Sequence, residues 1–349
     1  MYNIWNKWDK LETVLIGSCH PLEFYDNIKD DKIRDPLLRI TEETLQELDY
    51  FKSVLKDFGC EVIQAPTVYD RIGTWQNRGE ATTPRNSLQP RDCQVVIGNK
   101  CVISYIDNPG IVDTLKKYNT KDLIIDPRTI KTITGTLDKG STDSTWDAPF
   151  LTVVGNRIYL DNKEFTEKKI KWLKNKFPDF EYVEVSIGGH NDGCFTTLKP
   201  GAILSLYDIQ TYEETFPGWD VCYLPDQSWS KVSPFLDMKE KVDGKWWVPG
   251  EEHNDAFIEF VNTWLSKWVG YVEETVFDVN CLVLDEHHVC VSNNKNETVN
   301  AFLKKHKMEP VYIPWRHRYF WDGGLHCITL DLEREGTQQN YFPERDRQE

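Results

Sequence analysis

Gln94-Val-Val-Ile-Gly98-Asn99-Lys-Cys-Val-Ile-Ser104 reads as two short apolar strands joined by a two-residue turn. A Gly-Asn centre suits the primed turns whose twist matches that of the flanking strands. Working outward, Phe150-Leu-Thr-Val-Val-Gly155-Asn156-Arg-Ile-Tyr-Leu160 repeats both the pattern and the turn dipeptide. Cys194-Phe-Thr-Thr-Leu-Lys-Pro200-Gly201-Ala-Ile-Leu-Ser205 and Cys281-Leu-Val-Leu-Asp285-Glu286-His-His-Val-Cys-Val-Ser292 supply a third and a fourth hairpin. A fifth requires Ile328-Thr-Leu-Asp-Leu332 to pair with Val14-Leu-Ile-Gly17, from the opposite end of the sequence.

Each hairpin leads into a helix and a further strand. The apolar spacing of Leu45, Leu48, Phe51, Leu55 and Phe58 predicts a helix over 41–58, with Thr41 as N-cap and Gly59 as stop, then a strand at Cys60-Glu-Val-Ile63. Comparable pairs are 111–118 with 123–125, 164–176 with 182–185, 210–216 with 221–224, and 299–307 with 311–313. The expected fold class is therefore α/β: a five-bladed, pseudo-symmetric α/β propeller of hairpin–helix–strand units, one domain over 1–349. The competing reading is a mixed α+β protein in which hairpins and helices simply alternate.

Charge and cysteines narrow the function classes. Lys plus Arg total 41 against 56 Asp plus Glu, a net charge of −15 in 349 residues. Such a surface repels phosphate backbones, which excludes nucleic acid as a partner, and it favours a cationic small substrate. The first ten residues lack the apolar run of a signal peptide, and no stretch approaches the roughly 18 apolar residues of a membrane span. The nine cysteines (19, 60, 93, 101, 194, 222, 281, 290 and 327) are scattered without a CxxC or CxxH pair, which argues against a zinc site and a disulfide framework. A single glycosylation sequon, Asn296-Glu-Thr298, carries little weight without a secretory route. The expected setting is the cytoplasm, with reduced thiols.

What precedes the first strand of each hairpin carries the chemistry. In order these are Pro90-Arg-Asp92, Thr145-Trp-Asp147, Gly188-Gly-His190-Asn-Asp192, Phe277-Asp278-Val-Asn280 and Gly323-Gly-Leu-His-Cys327. In a pseudo-symmetric ring, equivalent strand starts converge near the axis. Acids, a histidine and a cysteine would then share one pocket. A carboxylate can accept two N–H groups of a planar guanidinium side by side, a thiolate can attack its carbon, and a histidine can protonate the departing amine. Taken singly, each residue has a plainer role: Cys327 as a small buried hydrophobe, His190 as a loop residue, Asp92 and Asp147 as turn or cap residues. Their joint placement, one group per repeat, is what points to guanidine chemistry.

At these residues the chain resembles the arginine:glycine amidinotransferase family, within the pentein group of guanidine-modifying enzymes. The likeness begins at Asn6-Lys-Trp-Asp-Lys-Leu-Glu-Thr-Val-Leu-Ile-Gly17 and continues through Pro90-Arg-Asp-Cys-Gln-Val-Val-Ile-Gly-Asn99 and Trp146-Asp-Ala148. It goes on through His190-Asn-Asp-Gly-Cys-Phe195, Asn280-Cys-Leu-Val-Leu-Asp-Glu286 and Gly323-Gly-Leu-His-Cys327. It implies Cys327 as nucleophile, His190 as general acid and base, Asp147 as the acid completing the triad, and Asp92 and Asp192 as the carboxylates that grip the guanidinium. It implies a small-molecule guanidine donor, an amine acceptor and no cofactor or metal; a homodimer is common in the family.

The departures lie around that core. Phe150 stands where the family has a second acid, Ile209 where it has the arginine that binds the donor's carboxylate, and Glu273-Glu-Thr275 where it has a serine pair. Arg85 or Arg78, in the loop before Asp92, is the alternative cation. The leading expectation is amidino transfer from arginine or a related guanidine to a primary amine, through an S-amidino-cysteine. A hydrolase using water in place of the amine shares every catalytic residue. A non-catalytic binding propeller fits less well, because the cysteine and histidine are retained. A papain-like protease would place its cysteine ahead of its histidine, the reverse of the order here.

Overall fold

The computed structural model describes residues 1–68, 85–106, 108–125, 145–187, 189–206, 212–224, 240–242, 244–266, 269–270, 278–321 and 323–342. Arg78, Ile209 and Glu273-Glu-Thr275 lie outside them. The chain opens with strand β1 (Leu11–Ile16), helix α1 (Asp31–Asp57) and strand β2 (Glu61–Gln64). The hairpin β3 (Gln94–Ile97) and β4 (Lys100–Ile103) leads to helix α2 (Pro109–Asn119) and β5 (Leu123–Ile125). Next come β6 (Leu151–Val154), β7 (Arg157–Asp161), α3 (Glu167–Lys176) and β8 (Glu181–Val185).

A short helix α4 (Asn191–Cys194) precedes β9 (Phe195–Lys199), β10 (Ala202–Leu206), α5 (Tyr212–Thr215) and β11 (Asp220–Leu224). After helix α6 (Asp255–Phe260) come β12 (Leu282–Val283), β13 (His288–Val291), α7 (Glu297–Lys305), β14 (Glu309–Tyr312) and β15 (Thr329–Arg334).

Among the described residues these strands form five three-stranded sheets: β15-β1-β2, β3-β4-β5, β6-β7-β8, β9-β10-β11 and β12-β13-β14. Every sheet repeats one topology, an antiparallel pair with a third strand added in parallel to its middle member. A parallel neighbour cannot be reached by a tight turn, so a crossover containing the helix intervenes. The middle strands β7 and β10 are buried along their whole length, whereas β14 lies at the exposed side of its sheet. The pairing of the two ends of the sequence is as expected, with Ile16 opposite Thr329 and Val14 opposite Asp331. Gly155 turns the β6–β7 hairpin with φ +62°, and a side chain there would run into the Gln339 carbonyl.

Two elements differ from expectation. Helix α1 starts ten residues before Thr41, with Asp30 as N-cap accepting from the Lys32 N–H at 3.0 Å. Pro36 inside it removes one backbone hydrogen bond. Burial of Leu37 and Ile40 in the core beside Leu48, Phe51 and Leu55 offsets that loss and carries the helix through the proline. Thr41 is then an interior residue, while Gly59, at φ +95°, does end the helix. Helix α6 and the π-helical turn Val261–Leu265 after it belong to no repeat. They pack Phe257, Val261 and Leu265 into the same core as α1. No helix among the described residues is long and apolar enough to cross a membrane.

Candidate active site

Cys327 ends a turn just ahead of β15, where the Ile328 N–H donates to the Gly324 carbonyl at 3.2 Å. Its side chain is 2 % exposed. Gly323 arches over the sulfur with φ +89°; a Cβ at this position would lie 2.8 Å from Cys327 Sγ. The first glycine of Gly-Gly-Leu-His-Cys therefore supplies both a left-handed backbone and open space at the thiol.

Two side chains reach the sulfur from neighbouring strand entries. Asn280, just before β12, donates from Nδ2 to Sγ at 3.0 Å. The thiol faces Asp192 Oδ2 at 3.4 Å, on α4 just before β9. The same Oδ2 accepts from His326 Nδ1 at 2.7 Å, while Asp192 Oδ1 is buried and accepts no hydrogen bond.

Contacts pass from each strand entry to the next. The Ala148 N–H donates to the Asp92 carbonyl at 2.8 Å, which joins the entries of β3 and β6. Phe150 packs edge-on against the His190 ring, with centroids 4.9 Å apart, and Asn191 Nδ2 donates to Thr152 Oγ1 at 3.3 Å. Asn280 Nδ2 also reaches the Asp192 carbonyl at 3.3 Å. Arg91 closes the series: its Nε donates to the His326 and Thr329 carbonyls, and its Nη2 pairs with Asp331 at 2.6 Å. All five sequence-selected entries are thus brought together.

Within this group the predicted residues divide. Asp192 and Cys327 are in direct contact. His190 is the N-cap residue of α4, two residues before Asp192, with its ring on Phe150. The aromatic in the place of the family's second acid therefore serves as a wall for the imidazole. Asp147 precedes the 3-10 turn Ala148–Phe150 without capping it through its side chain. Asp92 is buried and pairs with Arg85, Nη2 to Oδ2 at 2.6 Å. Arg85 thus sits on the acid itself.

The electrostatics follow from burial and neighbours. Burial alone would raise the Asp192 carboxyl, but the hydrogen bond from His326, with the electrostatic pull of the His326, His190 and Lys7 side chains, holds it well below the usual carboxylate range. His326 is pulled down to about 3 by burial, reinforced by the Arg91 and Lys7 cations, so it is neutral near pH 7. A neutral ring that donates Nδ1–H to Asp192 leaves Nε2 as an acceptor. Nε2 is buried without a hydrogen-bond partner, and His326 lines a cavity of about 40 Å³ shared with Lys7, Arg91, Gln94 and Asp331. Burial lowers Lys7 to about 8 against the pull of Asp192.

Asn280 and His326 are the residues that reasoning from sequence passed over. Both lay inside quoted motifs, Asn280 at a strand entry equivalent to those of the acids and His326 beside the cysteine. Neither type by itself announces a task next to a thiol. No group of three or more His, Cys, Asp or Glu among the described residues is arranged to hold a metal ion.

No protein-family model matches the chain. Individual proteins do, along nearly its whole length. It is 22 % identical over 384 residues to the L-arginine:L-lysine amidinotransferase of Pseudomonas savastanoi pv. phaseolicola, covering 97 % of this chain and 96 % of that one. The resemblance is to amidinotransferases. The mitochondrial glycine amidinotransferase of Xenopus tropicalis is 21 % identical, with 97 % of this chain and 84 % of that protein covered. Among solved structures, SxtG, an amidinotransferase from Microseira wollei in the saxitoxin pathway, superposes with a TM-score of 0.67 at 21 % identity, covering 98 % and 99 %. The agmatine deiminase of C. jejuni follows more loosely, with a TM-score of 0.55 at 14 % identity over 96 % and 97 %. These structural likenesses establish a shared fold.

Proposed function

We propose that this chain is an amidinotransferase that moves an amidino group from arginine or a related guanidine to a primary amine through a covalent S-amidino-cysteine at Cys327. The observation that carries this reading is the pairing of Cys327 Sγ with Asp192, whose buried Oδ1 accepts no hydrogen bond. A guanidinium N–H satisfies that oxygen and brings the electrophilic carbon to the sulfur. The same cation offsets the negative charge of Asp192, which otherwise disfavours a thiolate beside it.

The thiol proton passes to His190. The thiolate attacks the guanidinium carbon and forms the S–C bond. The C–N bond then breaks as His190 returns its proton to the departing amine. An incoming amine, deprotonated by His190, attacks the thiouronium carbon, and the S–C bond breaks to restore the thiolate. Asp147 orients His190, and Asp92 takes the second face of guanidinium donors. Arg85, beside Asp92, presents a cation for the carboxylate of an amino-acid donor. No cofactor enters this scheme.

In the same reading, the five sheets are blades of one closed pentein propeller spanning 1–349. Their common topology and the pairing of β1 with β15 support it. None of the nine cysteines is in a disulfide, which suits a reducing compartment such as the cytoplasm. A homodimer belongs to the reading through the resemblance alone.

Mass spectrometry of the Cys327 peptide after mixing with candidate guanidines tests the reading. An amidine-sized adduct that forms with one donor and disappears with one amine names both substrates. No adduct with any guanidine sinks the proposal. Hydrolysis of the same intermediate by water is the alternative, since the cradle around Cys327 serves either. Rapid turnover of arginine with no amine present would favour it.

A further inference from the structure

Asn280 fills all four of its hydrogen-bonding positions at the nucleophile. Its Oδ1 accepts from the His326 N–H at 3.0 Å and from the Cys327 N–H at 3.2 Å. Its Nδ2 donates to Cys327 Sγ at 3.0 Å and to the Asp192 carbonyl at 3.3 Å. This pattern fixes which end of the amide faces the sulfur, because the opposite orientation would aim an NH2 group at two backbone N–H donors. The residue is 4 % exposed, so no water competes freely for the contact. Gly324 keeps the amide in place, since a Cβ at this position would lie 2.9 Å from both Asn280 oxygens.

From this geometry we infer that Asn280 is a catalytic residue, the fixed N–H donor that stabilises the Cys327 thiolate both as nucleophile and as leaving group. The inference rests on the reading of Cys327 as the nucleophile. Around the sulfur the partners differ in kind. Asp192 accepts from the thiol and opposes its ionisation, whereas Asn280 donates and favours it. When the S–C bond forms, the sulfur becomes a neutral thioether and the donated bond weakens. When the acceptor amine expels the sulfur, the electron pair of the breaking S–C bond returns to it and the bond strengthens. The strand entries carry acids where positive charge is to be held, and an amide where negative charge develops.

The test is the pH dependence of Cys327 alkylation by iodoacetamide, read on the Cys327 peptide with no guanidine present. Asn280→Asp keeps an oxygen facing the two backbone N–H groups and replaces the donor at the sulfur by a second oxygen. Its alkylation midpoint is expected to rise by about 1–2 pH units, with alkylation near neutrality slowed about tenfold or more. Asn280→Ser, smaller and uncharged, is expected to shift in the same direction by less and covers the case in which the aspartate variant does not fold. An unchanged midpoint in a folded variant overturns the inference, because a residue that only shaped the loop would change melting temperature and leave the midpoint alone. A second arm uses a donor that labels the unmodified enzyme: the Asn280 variants should hold the amidino adduct longer on adding amine. Failure of the unmodified enzyme to form any adduct would count against the proposed function, while the alkylation arm would still decide the role of Asn280.

Discussion

Asp192 and Asp92 enter the site from equivalent points, each just ahead of the first strand of a sheet, yet their carboxylates are held in opposite ways. Asp192 is built into the surroundings of the candidate nucleophile: one oxygen meets His326 and the thiol, and the other accepts nothing. Asp92 is joined to Arg85, a guanidinium supplied by the protein. One acid thus has its demand for a cation partly unmet beside the Cys327 sulfur. The other is already engaged by the group it is expected to recognise. Equivalent positions in a repeat supply equivalent backbone directions, while the neighbours of each side chain set its electrostatic task.

Four measurements bear on that contrast. Asp192→Asn should have the largest effect, lowering kcat/KM by about a thousandfold or more and abolishing the Cys327 adduct, because it removes a charge opposed to the substrate cation. If Asp92→Asn costs as much, the contrast fails. The expected loss there is about 10–100-fold, carried mainly by KM, since Arg85 already offsets much of that charge. Arg85→Ala should cost about tenfold with arginine and much less with a guanidine lacking a carboxylate. Equal losses with both donors would confine Arg85 to supporting Asp92.

The smallest effect concerns stability. His326 titrates in the folded protein at about 3, below its ordinary 6.5. The unfolded chain therefore binds a proton that the folded one refuses, and stability is lost as pH falls from about 6.5 toward 3. The lowered Asp192 acts in the same direction only as pH falls below its ordinary 3.8. Urea melts from pH 7 to 4.5 should show a decline, and His326→Gln should flatten it by up to about 1 kcal/mol per pH unit. The buried His317 is lowered as well, so a residual slope should remain in the variant.

Much of the architecture was legible because turn chemistry and strand periodicity are local. Gly98-Asn99 and Gly155-Asn156 mark two hairpins, and strand entries can be counted from them. The candidate nucleophile, histidine and acids were legible because sulfur, imidazole and carboxylate have distinctive chemistry at that repeated point. Asn280 was not, because an amide looks like an ordinary turn residue until a partner 47 positions away is folded onto it. The pairing of Arg85 with Asp92 spans only seven residues, but no strand or helix period marks it, and the start of α1 ahead of a proline rests on burial of Leu37 and Ile40 in the core. Helix α6 interrupts the repeat, so counting repeats could not find it.

The sheet β15-β1-β2 has a consequence for how the protein is made. Leu11 and Arg334, which pair across it, are about 320 residues apart in sequence. At roughly 5–20 residues per second, a ribosome would need tens of seconds to bring out the partner of β1. Throughout that interval one edge of β1 lacks its native neighbour and is exposed to mispairing. Cys327, just ahead of β15, can meet Asp192 and Asn280 only once 135 and 47 further residues, respectively, have been added after them. A chain that stopped before Cys327 would keep the strands of the four other sheets but lack the sulfur that Asn280 and Asp192 surround.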